Sequence, residues 1–261
     1  MSDGTLLLNA LGHGIYELVI SQPARRNALT AAMWTHLPII LEEAAAQKDI
    51  KALIVRGAGE HFAAGADISE FETLYATRES AQKISEAITI GFDALAKFPL
   101  PTIAMIRGAC VGGGCGLALC CDIRFAANTA KFAITPAKLG LGYPCADVQR
   151  LIETVGIPHA KDLLFSARMI KAKRAEKMGL INRVLKPDEL EDITLDYALG
   201  IAGLSSETAR VTKQMFAAYQ QGQFGETAQS MDWFLDGFSS KDFKEGYQAF
   251  LEKRKPDFSQ T

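Results

Sequence analysis

The sequence predicts an α/β fold with parallel strands, followed by a largely helical C-terminal part. Three observations carry this. Two short continuous apolar runs, ALIVRG at 52–57 and TIAMI at 102–106, end at or just before glycine, as strands buried on both faces do. Segments of helical periodicity separate these runs, the alternation expected of α/β architecture. Beyond residue 144 strand signals stop, and nearly everything from 145 to 253 keeps helical spacing.

Taken in order, residues 5–8 and 14–20 (GIYELVI) read as a hairpin with Gly12 and Gly14 in its turn. Thr30 is placed to cap a helix whose apolar positions Met33, Leu37, Ile40, Leu41 and Ala44 share one face. Pro38 falls inside that pattern and is expected to kink the helix near Trp34. Residues 69–98 read as mostly helical and amphipathic, with Pro99 and Pro101 stopping them before the strand at Thr102–Ile106. A third strand is expected at Ile123–Ala126, and a short extended piece at Lys131–Ile134. Later, Phe234, Phe238, Phe243, Tyr247 and Phe250 recur at helical intervals. That much aromatic surface suits either packing on a neighbouring subunit or burial against the chain's own core.

At 261 residues the chain fits one large core, residues 1–200, with a helical region at 201–261. A chain this long buries roughly 70–75% of its unfolded surface and needs no disulfide or metal staple. The net charge of −2 and the absence of basic runs exclude a nucleic-acid-binding composition. Four of the five cysteines, Cys110, Cys115, Cys120 and Cys121, fall close together without a CxxC pair, so zinc-ribbon spacing is absent. Small buried thiols in a reducing compartment are expected instead. The N-terminus lacks a basic region, and the longest uncharged apolar stretch, Gly108 to Cys121, is too short for a membrane span. A cytoplasmic protein without membrane or metal is the expectation.

Two segments carry chemistry: HFAAGADI (His61–Ile68) and GACVGGGCGLALCCDI (Gly108–Ile123). Each follows a buried strand and places small-residue backbone at its C-terminal end, where ligands bind in open α/β sheets. A glycine run that opens a helix exposes unpaired N–H groups with the helix dipole behind them. Two such loops side by side can aim two donors at one oxygen, an oxyanion hole. The same glycines can cradle a phosphate, although neither GxxxxGK[ST] nor GxGxxG is present, or can simply allow close packing.

PARRNAL (Pro23–Leu29), FAAGADI (Phe62–Ile68), GACVGGGCGLALCCDIRFA (Gly108–Ala126), AEKMGLINRV (Ala175–Val184) and EGYQAFLEKRKPDF (Glu245–Phe258) together resemble the enoyl-CoA hydratase/isomerase, or crotonase, superfamily in order and spacing. The resemblance implies a spiral of ββα units, a C-terminal α-helical trimerisation region, and a homotrimer or a hexamer of two trimers. It also implies an acyl-CoA substrate whose CoA moiety is the only cofactor-like group. By that resemblance the N–H groups of Ala66 and Gly113 hold the thioester oxygen. Adenine and pantetheine lie along Arg25–Ala28 and Ala64–Ile68. Arg25 or Arg26 approaches the ribose phosphate, the alternative being a solvated charged turn. Phe250 and Lys253 close the CoA site, and Asp67 is expected to cap the following helix.

The sequence departs from that family where hydratases carry two glutamates around the added water. Those positions hold Gly116 and Pro136 (or Ala137 with a one-residue slip), none of them acidic. TPAKLGLGYP (Thr135–Pro144) puts Tyr143 at the acyl end, which resembles the methylmalonyl-CoA decarboxylase branch in part, although that branch carries a glutamate where Gly116 stands. Loss of CO₂ generates its own enolate and needs no base. Tyr143 is read either as a hydrogen-bonding catalytic group or as a packing residue. Three functions stand from the sequence: a hydratase-type lyase, a decarboxylase of malonyl- or methylmalonyl-type thioesters, and a CoA-thioester-binding protein with little activity.

Overall fold

The computed structural model describes residues 4–258; residues 1–3 and 259–261, the ends of the two regions read from sequence, lie outside them. Strands β1 (Thr5–Gly12) and β2 (Ile15–Ser21) make the expected hairpin and turn through Gly12, His13 and Gly14, all at positive φ. β1 outruns its apolar stretch because its pairing with β2 continues to Gly12. Thr30 caps α1 (Ala31–Ala45), its hydroxyl accepting from Met33 N at 3.2 Å. The proline does not interrupt α1, which continues through Pro38 as one helix. Met33, Trp34, Leu37, Ile40 and Leu41 are buried along it, and that burial outweighs the one backbone bond a proline removes.

β3 (Ala52–Gly57) follows, then α2 (Phe71–Leu74), and α3 (Arg78–Ala96) opened by a Thr77–Ser80 capping box. β4 (Thr102–Ile106), β5 (Ala109–Val111), α4 (Gly113–Cys120), β6 (Ile123–Ala127) and β7 (Lys131–Ala133) come next. α5 (Cys145–Ser166) breaks at Gly156, whose φ is 73°. Then come β8 (Ile170–Lys171), α6 (Ala172–Lys177), β9 (Arg183–Leu185), α7 (Leu190–Ala202), α8 (Ser206–Gln220), α9 (Ala228–Asp236) and α10 (Lys241–Glu252).

The main sheet runs β1-β2-β3-β4-β6-β9, parallel except for the first pair, and a small sheet orders β5-β7-β8. The unbroken apolar runs of β3 and β4 are explained by burial on both faces. Leu53, Val55, Ala104 and Ile106 join the larger core beside α1, α3 and α4. Ala52, Ile54, Ile103 and Met105 join a second core with Leu190 and Ala198 of α7. The residue-200 boundary therefore falls inside a helix packed on the main sheet.

The aromatic side chains of the last helices are not buried against the chain's own core. Phe234, Phe238 and Phe243 make successive edge-on contacts at 5.2 and 5.4 Å, yet remain about half exposed. Phe250 is 83% exposed. α8 is tied to the core where Lys213 Nζ donates to Asp122 (2.7 Å) and to the Leu100 carbonyl (3.2 Å). Among the described residues no helix is long and apolar enough to cross a membrane.

Candidate active site

The two glycine-bearing loops leave the C-terminal ends of adjacent parallel strands, β3 and β4, and zip together. Ala63 N donates to the Ala109 carbonyl at 3.0 Å and Val111 N to the Ala63 carbonyl at 2.9 Å. Glycine is required where they touch. A Cβ on Gly65 (φ 95°) would sit 3.0 Å from Val111 O and 3.2 Å from Gly113 N, and one on Gly114 would overlap the Ala63 carbonyl. Leu29 N donates to Gly65 O at 2.7 Å and Asp67 N to Leu29 O at 2.9 Å, pinning the chain on both sides of Ala66. Neither Ala66 N nor Gly113 N donates any of the hydrogen bonds among the described residues, and both residues are only half buried. The facing loops thus present two unpaired donors, one of them opening α4.

Arg25 and Asp67 meet directly. Arg25 Nη1 donates to both Asp67 oxygens at 2.6 and 2.8 Å, and also to Ser69 Oγ. Asp67 accepts from Ser69 N at 3.0 Å, so it caps the short 3-10 turn Ile68–Glu70 as expected. Burial raises its carboxyl pKa, but the bonds from Ser69 and Arg25 outweigh that and leave it below the usual carboxylate range. Arg26 is exposed, Ala28 buried, and Ala64 N donates to the Arg26 carbonyl at 3.0 Å. Ile68 is 63% exposed beside them. Asn27, which sequence reasoning passed over, is fully buried and binds the Ala58 and His61 carbonyls, fixing the Arg25–Ala28 turn against the loop. Among the described hydrogen bonds and ion pairs, none joins Phe250 or Lys253 to these loops; both sit at the end of α10.

Aromatic and charged side chains from other helices pack around α4. The Trp34 indole stands against its first residue: a Cβ on Gly113 would lie 3.1 Å from Trp34 Cζ2. Phe92 meets Trp34 edge-on at 5.3 Å and occupies the space beside Gly116, where a Cβ would lie 2.6 Å from its Cζ. The Arg150 guanidinium lies over the Phe92 ring, 6.0 Å from its centroid, held by Asp147 at 2.9 Å and by Asp93. Pro136, itself half-buried, opens an otherwise exposed 3-10 turn to Leu139 that ends at Gly140 in the left-handed region.

Tyr143 is largely buried near Cys115, Cys120, Asp147 and Arg150. Burial pushes its phenol pKa up, and its hydroxyl has no hydrogen-bond partner among the described residues. The Trp34 Nε1 is likewise buried and unpartnered. Burial raises the Asp147 carboxyl against the pull of Arg150. The clustered cysteines are free and buried, with the Cys120 thiol pushed up to about 12, so they are inert thiols. Cys145 is free and exposed. His61 accepts from Ala109 N at 3.1 Å and serves the loop backbone. Trp34 and Phe92 were missed as site residues because apolar periodicity marks them only as core.

Comparison with known proteins agrees. The enoyl-CoA hydratase/isomerase family matches residues 11–261. The crotonyl-CoA hydratase of Syntrophomonas wolfei is 34% identical over 92% of this chain and 93% of its own length. The short-chain-enoyl-CoA hydratase of Clostridium acetobutylicum is 33% identical over 91% of each chain. The crystal structure of an enoyl-CoA hydratase/isomerase family protein from Hyphomonas neptunium superposes with a TM-score of 0.95 at 42% identity over 98% of both chains. The chain belongs to the enoyl-CoA hydratase/isomerase family and has its crotonase-type α/β fold. It is an acyl-CoA enzyme of that superfamily.

Proposed function

We propose that this chain binds an acyl-CoA thioester across the two glycine loops and stabilises its enolate, the thioester oxygen accepting from Ala66 N–H and Gly113 N–H. The observation that supports this reading is that neither N–H donates among the described hydrogen bonds while their two loops touch, a Cβ on Gly65 falling 3.2 Å from Gly113 N. Preorganised donors aimed at developing charge contribute about 2.7–4 kcal/mol each to the transition state. The CoA moiety runs along Arg25–Ala28 and Ala64–Ile68. Arg25, using Nη1 on Asp67, keeps its other nitrogens for the ribose phosphate, with Arg26 beside it. Phe250 and Lys253 close the CoA site in a trimer or hexamer, which the exposed C-terminal aromatics favour. The substrate's CoA is the only cofactor-like group in this reading, and the setting is the cytoplasm.

Hydration is supported by what the relatives are called. The residues themselves favour decarboxylation. No carboxylate stands at Gly116 or Pro136, and Phe92 fills the space beside Gly116. In decarboxylation the bond between Cα and the carboxyl carbon breaks, its electron pair passes to the thioester oxygen, CO₂ leaves, and Cα later takes a proton from solvent. No resident base is needed, and a resident carboxylate would repel the departing one. Tyr143 then hydrogen-bonds the substrate carboxylate.

Assays of the wild type on crotonyl-CoA and on malonyl- and methylmalonyl-CoA test this. Release of CO₂ with slow hydration is expected. Fast hydration of crotonyl-CoA would overturn the decarboxylase reading, and tight binding without any turnover would make the chain a thioester-binding protein.

A further inference from the structure

The structure assigns Trp34 a second role beyond core packing: we infer that its indole N–H, with the Tyr143 hydroxyl, selects acyl groups that carry an acceptor oxygen beyond the thioester carbonyl. The inference deepens the thioester reading above and rests on it. Among the described residues both groups are buried polar atoms without partners. Trp34 is 1% exposed, and an indole N–H can only donate. Buried donors are nearly always satisfied, so an orphan next to a binding loop needs an acceptor supplied from outside the chain.

The position of Trp34 narrows what that acceptor is. Its six-membered ring edge lies against Gly113, one of the two residues proposed to hold the thioester oxygen. The Nε1 is on the same edge of the indole as Cζ2, so the oxygen it meets lies close to the thioester carbonyl. A β-oxygenated short acyl group, of malonyl or 3-oxo type, places an oxygen there. A plain alkyl chain leaves both donors buried and unpaired, and a site built to hydrogen-bond a substrate discriminates strongly against analogues that lack the group. Phe92, packed edge-on against the same indole, holds the ring in place.

Binding of butyryl-CoA, acetoacetyl-CoA and malonyl-CoA, measured by calorimetry with product analysis on the malonyl arm, tests this. The proteins compared are the wild type, Tyr143→Phe, and a chain with benzothienylalanine at position 34, which keeps the ring shape and lacks the N–H. The wild type is expected to bind at least one oxygenated thioester about 10-fold or more tighter than butyryl-CoA, the scale set by one buried donor left unpaired. Each variant should lose most of that preference, the ratio of affinities for the oxygenated thioester and butyryl-CoA falling toward one. The malonyl and acetoacetyl arms separate a carboxylate from a keto acceptor. Equal affinities in the wild type, or a preference that survives loss of the indole N–H, would overturn the inference alone. Failure of every thioester and of CoA itself to bind would overturn the thioester reading and take this inference with it.

Discussion

Gly113 is the first residue of α4, a position where proline is tolerated because its N–H has no helical partner. Gly113→Pro therefore removes one proposed oxyanion donor with little cost to the helix. The expected result is a loss of about 10²–10³ in kcat on whichever thioester turns over, with a modest fall in melting temperature because a Cβ there lies 3.1 Å from Trp34 Cζ2. An unchanged kcat in the folded variant would remove Gly113 from the mechanism. Gly116 behaves differently. A side chain there meets Phe92 at 2.6 Å, so Gly116→Glu is expected to destabilise the fold by about 1–3 kcal/mol, and Phe92→Ala in the same chain to relieve part of that. Thermal melts of the single and double variants measure it. That position 116 carries no side chain was legible in the sequence. The ring beside it was not, because Phe92 lies twenty-four residues upstream on another helix and its spacing shows only an apolar face.

At the scale of elements, long strands and helices with clear periods were legible, and so was the short β7, while β5 lay hidden in the glycine loop and β8 and β9 in the stretch whose spacing reads as helical. The glycine loops were legible as chemistry because two close contacts there admit no side chain, and glycine is the residue that leaves that trace. The Arg25–Asp67 pair was not, since forty-two residues separate its members. It joins the Pro23–Arg25 turn to the 3-10 turn after the first loop, and its pH behaviour follows from Asp67. A carboxyl held below its ordinary value adds stability at pH above that value, near 4, and loses it as the pH falls. Melting temperatures between pH 6 and 3 should fall more steeply in the wild type than in Arg25→Ala. Parallel pH curves would mean the pair adds nothing. Arg25→Ala should also weaken CoA more than dephospho-CoA, and equal losses would exclude the phosphate contact.

At the scale of the whole molecule, α8 to α10 carry a row of half-exposed rings in edge-on contact with one another. A patch of that kind on a lone protein is unusual. Sedimentation at micromolar concentration is expected to give a trimer or hexamer. Replacing Phe234 and Phe238 together by Ser should shift the chain toward monomer without unfolding it, since neither ring is buried in the single chain. A monomeric wild type would show that the rings stay exposed in solution.

The Phe92 ring beside Gly116 also sets the order in which this lineage can change. A glutamate arriving at 116 first meets an occupied space and is selected against on stability before its chemistry counts. Shrinking Phe92 first leaves a cavity and loosens Trp34, its edge-on neighbour. Either first step is expected to cross a less stable intermediate, so the two positions are coupled, and the ring opposes a side chain of any kind at that site.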